Sequence, residues 1–299
     1  MCWRLRGTVP SEGVVAILPK DSGAGKETWA YLRLPPFSQV ALRVLELASK
    51  ENVQLHELSQ LISSDPALAS EILTIVNSLA YAPRMPIASI LQAIAVMGAN
   101  HLQGLCLTVA IRGYIGKSLG HPLMQGLWRH NLACATIAEQ LAGTSFMDHD
   151  VAFTCGVMHD VGRLALATVK QKEYLELLAS HSGDAQSILE HERVLLGMDH
   201  CGMGRQLVEE WKLPEDFEAI VADHHEPFCE PHLMTMPGLV NMACRMADAA
   251  GFPAFPGCHA EPYEDLFAQL PERERRLFFP DVGVLLFEIN KKIHAIESI

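Results

Sequence analysis

Apolar residues recur along this chain at intervals of three and four, the spacing of one helical face, and almost nowhere at intervals of two. In SQVALRVLELASK, Val40, Ala41, Val44, Leu45, Leu47 and Ala48 share a face, and Leu55, Leu58, Leu61 and Ile62 repeat the pattern. DPALASEILTIVNSLA opens on an N-cap acid, Asp65, and on Pro66, which suits a first helical position. Leu68, Ile72, Leu73, Ile75, Val76 and Leu79 then form a broad apolar face. Ser89 and Gly98 bracket SILQAIAVMG as start and stop signals, and another apolar helix runs through HLQGLCLTVAI.

GYIGKSLGHP, rich in glycine, is the best candidate boundary. Beyond it come LMQGLWRHNLACATIAEQLAG, ending at Gly143, and DVAFTCGVMHDVGRLALATV, which reads as one buried helix. KEYLELLASHSG, AQSILEHERVLLG with Asp184 as its cap, DHCGMGRQLVEEWKLP, PEDFEAIVADHHEP and TMPGLVNMACRMADAAG follow. A loop rich in Pro, Gly and acids near 252–265 precedes a final helix, VGVLLFEINKKIHAIES. Strand-like alternation is lacking after residue 32, and there is no fixed-period repeat, so the expected fold is all-α. The expected organisation is an N-terminal extension over 1–31, helical parts over 32–115 and 116–250, and a C-terminal loop and helix over 251–299. The extension is either a small strand-bearing segment or a partly disordered lead-in.

With 299 residues, 49% of them hydrophobic, the chain can bury a sizeable core in one large domain or two small ones. A net charge of -12 argues against non-specific binding to nucleic acid or to an anionic membrane, while leaving room for a local basic pocket. None of the eight cysteines forms a C-x-x-C pair, and several sit among apolar helical neighbours as small core residues, which points to a reducing, cytoplasmic compartment. No apolar run approaches the roughly 20 residues of a membrane span, and the N-terminus lacks signal-peptide architecture. GAGKE at 23–27 lacks the first glycine of a phosphate loop and has Glu27 where a hydroxyl should follow the lysine, so that reading is rejected.

Fourteen histidines are many for this length. His56, His101, His121, His149, His181, His191, His232, His259 and His294 read as surface or satisfied core residues. His130, His159, His200, His224 and His225, with Asp160 and Asp248, stand instead on apolar helical segments of the second half. Singly, each can be satisfied by a carbonyl, a helix end or a salt bridge. Together, buried imidazoles and carboxylates are satisfied best around a cation such as Fe, Mn, Zn, Ni or Co, and the lack of thiolates argues against a structural zinc. Adjacent on one helix, His159 and Asp160 can serve two ions, with the carboxylate bridging. Such pairs of ions activate water and stabilise the leaving oxygen in phosphoester hydrolysis.

In this order, His130, His159–Asp160 and Asp248 resemble the signature of the HD superfamily of metal-dependent phosphohydrolases. His200 and His224–His225 resemble the extra positions of its HD-GYP branch, although PFCEP follows HHE where that branch has a Gly-Tyr-Pro element. LPPFSQVALRVLELA, SSDPALASEILTIVNSLAY, SILQAIAVMG, WKLP and HHEP resemble the bacterial HDOD domain over roughly 32–250. This resemblance implies a helical bundle in two subdomains, a signalling or regulatory role, and a centre of one or two Fe, Mn, Zn or Ni ions. Arg163 stands where many HD enzymes have lysine; it either reaches a phosphate, as a catalytic partner of Asp160, or makes a surface salt bridge. Three functions stay open: a phosphohydrolase of a nucleotide or cyclic dinucleotide, a noncatalytic module docking a signalling protein, and a nucleotide sensor. In the docking case the first-half helices form the working surface, with Asn77 and Ser78 either part of it or occupied in local packing.

Overall fold

Each start signal read above caps a helix in the computed structural model, which describes residues 37–48, 54–214, 216–226, 235–279 and 281–299. The extension over 1–31, GAGKE, PFCEP and His232 lie outside these residues. Asp65 accepts from the Ala67 and Leu68 N–H groups, each at 3.1 Å. Ser89 accepts from Gln92 N–H at 3.2 Å, and Asp184 from Ser187 N–H at 2.8 Å. The helices are α1 (Gln39–Ala48), α2 (Leu55–Ser63), α3 (Pro66–Val76), α4 (Ile90–Met97), α5 (Ala99–Ile115), α6 (Pro122–Ser145), α7 (His149–Met158) and α8 (Val161–Val169). They continue with α9 (Gln171–Ser180), α10 (Ala185–Leu196), α11 (His200–Glu210), α12 (Asp216–Asp223), α13 (Met236–Ala249), α14 (Tyr263–Gln269), α15 (Glu272–Leu277) and α16 (Val282–Glu297). The fold is all-α; among the described residues the only β feature is an isolated bridge between Gly183 and Cys258. None of these helices is long and apolar enough to cross a membrane.

α6 is the axis of the second half. His121 caps it, accepting from Leu123 N–H, and it runs past Gly143 because the left-handed residue that ends it is Phe146, at φ 59°. Its buried residues include Met124, Leu127, Trp128, Leu132, Ile137 and Leu141, and α7, α13 and α16 pack against it. α7 comes closest at Gly156: a Cβ there would lie 2.4 Å from Ala135 Cα. α8 meets α11 as closely at Gly162, where a Cβ would lie 2.0 Å from the His200 carbonyl oxygen.

These two contacts explain a departure from the sequence reading. The segment 149–169 is not one helix: α7 ends at Met158, α8 begins at Val161, and His159 and Asp160 form the junction between them. α7 is held against α6 and α8 against α11, so the backbone turns at Asp160 (φ −106°, ψ 22°) although apolar residues continue through it.

In the first half, the Asn77 amide donates to the Leu73 and Ile87 carbonyls and accepts from Ile87 N–H at 2.8 Å. It is a staple between α3 and the approach to α4, which is the local-packing role. The tail adds α14 and α15 to the expected loop and then lays α16 on α6, burying Leu285, Ile289, Ile293 and Ile296. Lys292 of α16 is also buried; its ammonium donates to both Glu139 carboxylate oxygens, at 2.8 and 2.6 Å, and lies over the rings of Tyr81 (5.2 Å) and Phe153 (5.0 Å).

Candidate metal centre

Four segments meet in one buried volume. His130 comes from the middle of α6, His159 and Asp160 from the α7–α8 junction, His200 from the first position of α11, and His224 and His225 from the turn after α12. His130, His159, Asp160, His200 and His224 are at most 1% exposed, and His225 is partly buried.

The outer edges of three imidazoles are held. His130 Nδ1 lies 2.7 Å from the Phe252 carbonyl, His159 Nδ1 2.7 Å from the Gly156 carbonyl, and His200 Nδ1 2.7 Å from a Glu192 carboxylate oxygen. Carbonyl and carboxylate oxygens only accept, so each Nδ1 carries a proton. The Nε2 edges face inward. Asp160 Oδ1 lies 3.3 Å from Nε2 of both His200 and His224, Asp160 Oδ2 lies 3.9 Å from His159 Nε2, and His200 Nε2 lies 2.9 Å from His225 Nε2. Among the described residues His159 Nε2, Asp160 Oδ1 and both ring nitrogens of His224 make no hydrogen bond. Unpaired polar atoms at this depth are costly, and so many pointing one way is the pattern that a cation completes.

The donors fall into overlapping groups: His130, His159 and Cys244; His159, Asp160 and His224; and His200, Cys201, His224 and His225. Asp248 stands apart. Its carboxylate lies 3.3 Å from His130 Nδ1, the edge turned away from the centre, and accepts from Ala254 N–H at 2.9 Å and from the Cys258 thiol at 3.5 Å. The centre is also not free of sulfur, as the sequence reading had it: Cys244, one helical turn before Asp248 on α13, places its sulfur 3.5 Å from His130 Nε2.

Glu192 is a second residue that sequence reasoning missed. It is fully buried, accepts from the backbone and Nδ1 of His200 (2.8 and 2.7 Å) and takes the Tyr174 hydroxyl at 2.6 Å. Gly197, at φ 76°, ends α10 and turns the chain so that Glu192 faces the start of α11. The available signal was an acid followed by a helix-ending glycine and then a capped histidine, EHERVLLGMDH. Arg163 departs from the surface alternative in its surroundings. It is wholly buried, donates from Nε to Asp160 Oδ2 at 2.7 Å, and brings another guanidinium nitrogen within 3.1 Å of His200 Nε2 and a third within 3.6 Å of Glu192. It is no surface salt bridge.

Electrostatics divide these groups. Burial favours neutral Asp160, yet Arg163 and His200 outweigh it and hold the carboxyl well below the usual range. Burial likewise opposes charge on Glu192, but His200 and Arg163 bring it down to about 2. Burial and Arg163 oppose charge on His200, but Glu192 and Asp160 prevail and raise it to about 10. Burial lowers His159, His224 and His225, which are therefore neutral and keep lone pairs to offer.

An uncharacterised protein of Treponema pallidum (strain Nichols) is 24% identical over 223 residues; the match spans 72% of this chain and 43% of that one, so this chain covers less than half of the relative's length. The crystal structure of an HDOD domain protein of unknown function from Geobacter sulfurreducens superimposes with a TM-score of 0.68 at 21% identity, over 92% of this chain and 95% of that one. That of a candidate phosphohydrolase from Shewanella amazonensis SB2B superimposes with a TM-score of 0.64 at 21% identity, over 91% and 96%. These likenesses establish a shared fold. The model of the HDOD domain matches residues 34–227, well over half of the sequence, and the chain belongs to the HDOD family.

Proposed function

We propose that this HDOD protein is a cytoplasmic signalling or regulatory module whose histidine–aspartate cluster holds one or two divalent ions of the Fe, Mn, Zn or Ni class. One observation carries the reading: three histidines have Nδ1 tied to a carbonyl or carboxylate, and the Nε2 atoms of two of them, His159 and His200, together with that of His224, surround the buried Asp160 carboxylate. Metal-ligating histidines are oriented in this way. His159, His224 and His225 are neutral ligands in this scheme, and Asp160 lies between the His159 side and the His200–His224 side. Glu192 fixes the ring of His200, and the Phe252 carbonyl fixes that of His130.

Divalent ions held by these residues would lower the pKa of water and polarise phosphoryl oxygens, which would make a nucleotide or cyclic dinucleotide the substrate class of an active form. Fold kinship with a candidate phosphohydrolase agrees with that chemistry. Arg163 favours a second, noncatalytic reading. Asp160 and Glu192 are already balanced by Arg163 and protonated His200, so the carboxylate charges in this half of the cluster are paired without an ion. In that reading the protein acts by docking a signalling partner or by sensing a nucleotide.

Metal content decides first. Purified without a histidine tag, the chain should carry about one or two equivalents of metal by mass spectrometry, and Asp160→Ala should lose most of it. Less than about a tenth of an equivalent after reconstitution would reject the metal centre and leave the docking role. Hydrolysis of cyclic dinucleotides by the loaded chain, absent from a folded Asp160→Ala variant, would select the enzyme.

A further inference from the structure

We propose that Cys244 is itself a metal ligand, completing with Nε2 of His130 and Nε2 of His159 a thiolate-bearing position at one end of the cluster. The proposal rests on the metal-centre reading and adds a donor that reading does not contain.

Geometry singles out this thiol. Cys244 is 3% exposed, and its sulfur lies 3.5 Å from His130 Nε2, the nitrogen whose opposite edge is held by the Phe252 carbonyl. The ring of His159 lies 5.4 Å from that of His130, and its Nε2 is buried without a hydrogen bond. One donor atom from each of the three residues falls within 4.8 Å of the others, so a single ion can reach all three with small side-chain adjustments. On α13 Cys244 and Asp248 are four residues apart and therefore on one face. Asp248 takes the Nδ1 edge of His130, and Cys244 takes the Nε2 edge. α13 thus grips the same imidazole from both sides, orienting it with one residue and adding a donor with the other. Other buried thiols differ. Cys134 is directed at the Val240 carbonyl, at 3.8 Å, and Cys201 belongs to the His200 side.

The chemistry is a ligand exchange without redox change. An ion enters, the Cys244 thiol gives up its proton to solvent, and the sulfur–metal bond replaces the contact with His130. Two imidazoles and a thiolate are borderline-soft donors, which select Zn, Co or Fe(II) over Mn or Mg.

Cobalt(II) is the probe. Titrated into the metal-free full-length chain, it should give a near-ultraviolet thiolate-to-cobalt charge-transfer band. Cys244→Ser should abolish that band and weaken cobalt binding at least about tenfold, the lower end of what loss of an outer partner costs. Cys201→Ser should keep the band. X-ray absorption of the zinc-loaded wild-type chain supplies a readout that does not depend on a variant folding: a sulfur shell at about 2.3 Å should accompany the nitrogen shell at about 2.0–2.1 Å. Cobalt or zinc bound with nitrogen and oxygen neighbours only would overturn the proposal while leaving the metal centre intact. So would a band that vanishes in Cys201→Ser but survives in Cys244→Ser. A chain that binds neither ion would overturn the underlying reading as well.

Discussion

Replacing Arg163 by methionine should destabilise the metal-free protein by about 3–5 kcal/mol, the loss expected when one member of a buried ion pair is removed. The guanidinium is fully buried and is the nearest fixed cation to Asp160, which is itself 1% exposed. Methionine fills much of the same volume, so the loss reports charge more than cavity. Asp160 would then face only the imidazoles of His159, His200 and His224, and Glu192 would lose its second cation. An ion seated against Asp160 should offset this loss. Urea unfolding with zinc or manganese at a hundredfold excess over Kd should raise wild-type stability by about 2.7 kcal/mol. It should raise Arg163→Met by more, because the ion relieves a charge that the wild type already pairs. A variant as stable as wild type without metal would refute the role given to Arg163. Equal gains in the two proteins would place the ion away from Asp160.

Gly162→Ala should be similarly severe through sterics alone. Its Cβ would fall 2.0 Å from the His200 carbonyl oxygen and 2.5 Å from the Gly204 nitrogen, both backbone atoms that cannot rotate away. α8 and α11 must separate, at a cost of about 3 kcal/mol or more, the upper range for overpacking. The same separation pulls His200 from Asp160, so the variant should also lose metal or, if none binds, the pairing of Arg163 with His200. Gly143→Ala is the contrasting case. That glycine is exposed within α6 with nothing within 4 Å of the added carbon, and alanine there should stabilise by up to about 1 kcal/mol. If denaturation finds the two alanine variants alike, the close packing of α8 on α11 is disproved.

The helices were legible because their signals are local. Asp65, Ser89 and Asp184 cap within three residues of themselves, and the apolar faces repeat within a turn or two. The kink at His159–Asp160 was not, since apolar residues pass straight through it and the cause lies in glycine contacts with α6 and α11. The histidines of the cluster stood out because an imidazole in an apolar run needs a partner. Glu192 and Cys244 did not. A glutamate beside Glu190 and Arg193 looks like part of a solvated face, and a cysteine in an apolar helix looks like filler. Their meaning comes from what lies opposite them: His200 across the turn at Gly197, and His130 across the contact between α6 and α13. Arg163 was recognised as part of the site, but a single sequence does not say which way a long side chain lies.

The HDOD family model stops at residue 227, yet much of what covers α6 comes later. α13 lies against α6 and supplies the contacts on both edges of His130, and α16 covers another side of α6 with Leu285, Ile289, Ile293 and Ile296. Lys292 adds a buried rivet that joins Glu139 to the rings of Tyr81 and Phe153, linking the first half, the centre and the tail. The portion that the family model matches is therefore smaller than the portion that must fold together. A fragment trimmed to the recognised stretch would leave the flanks of α6 wet and His130 without its clamp, so experiments on this family member belong on the whole chain.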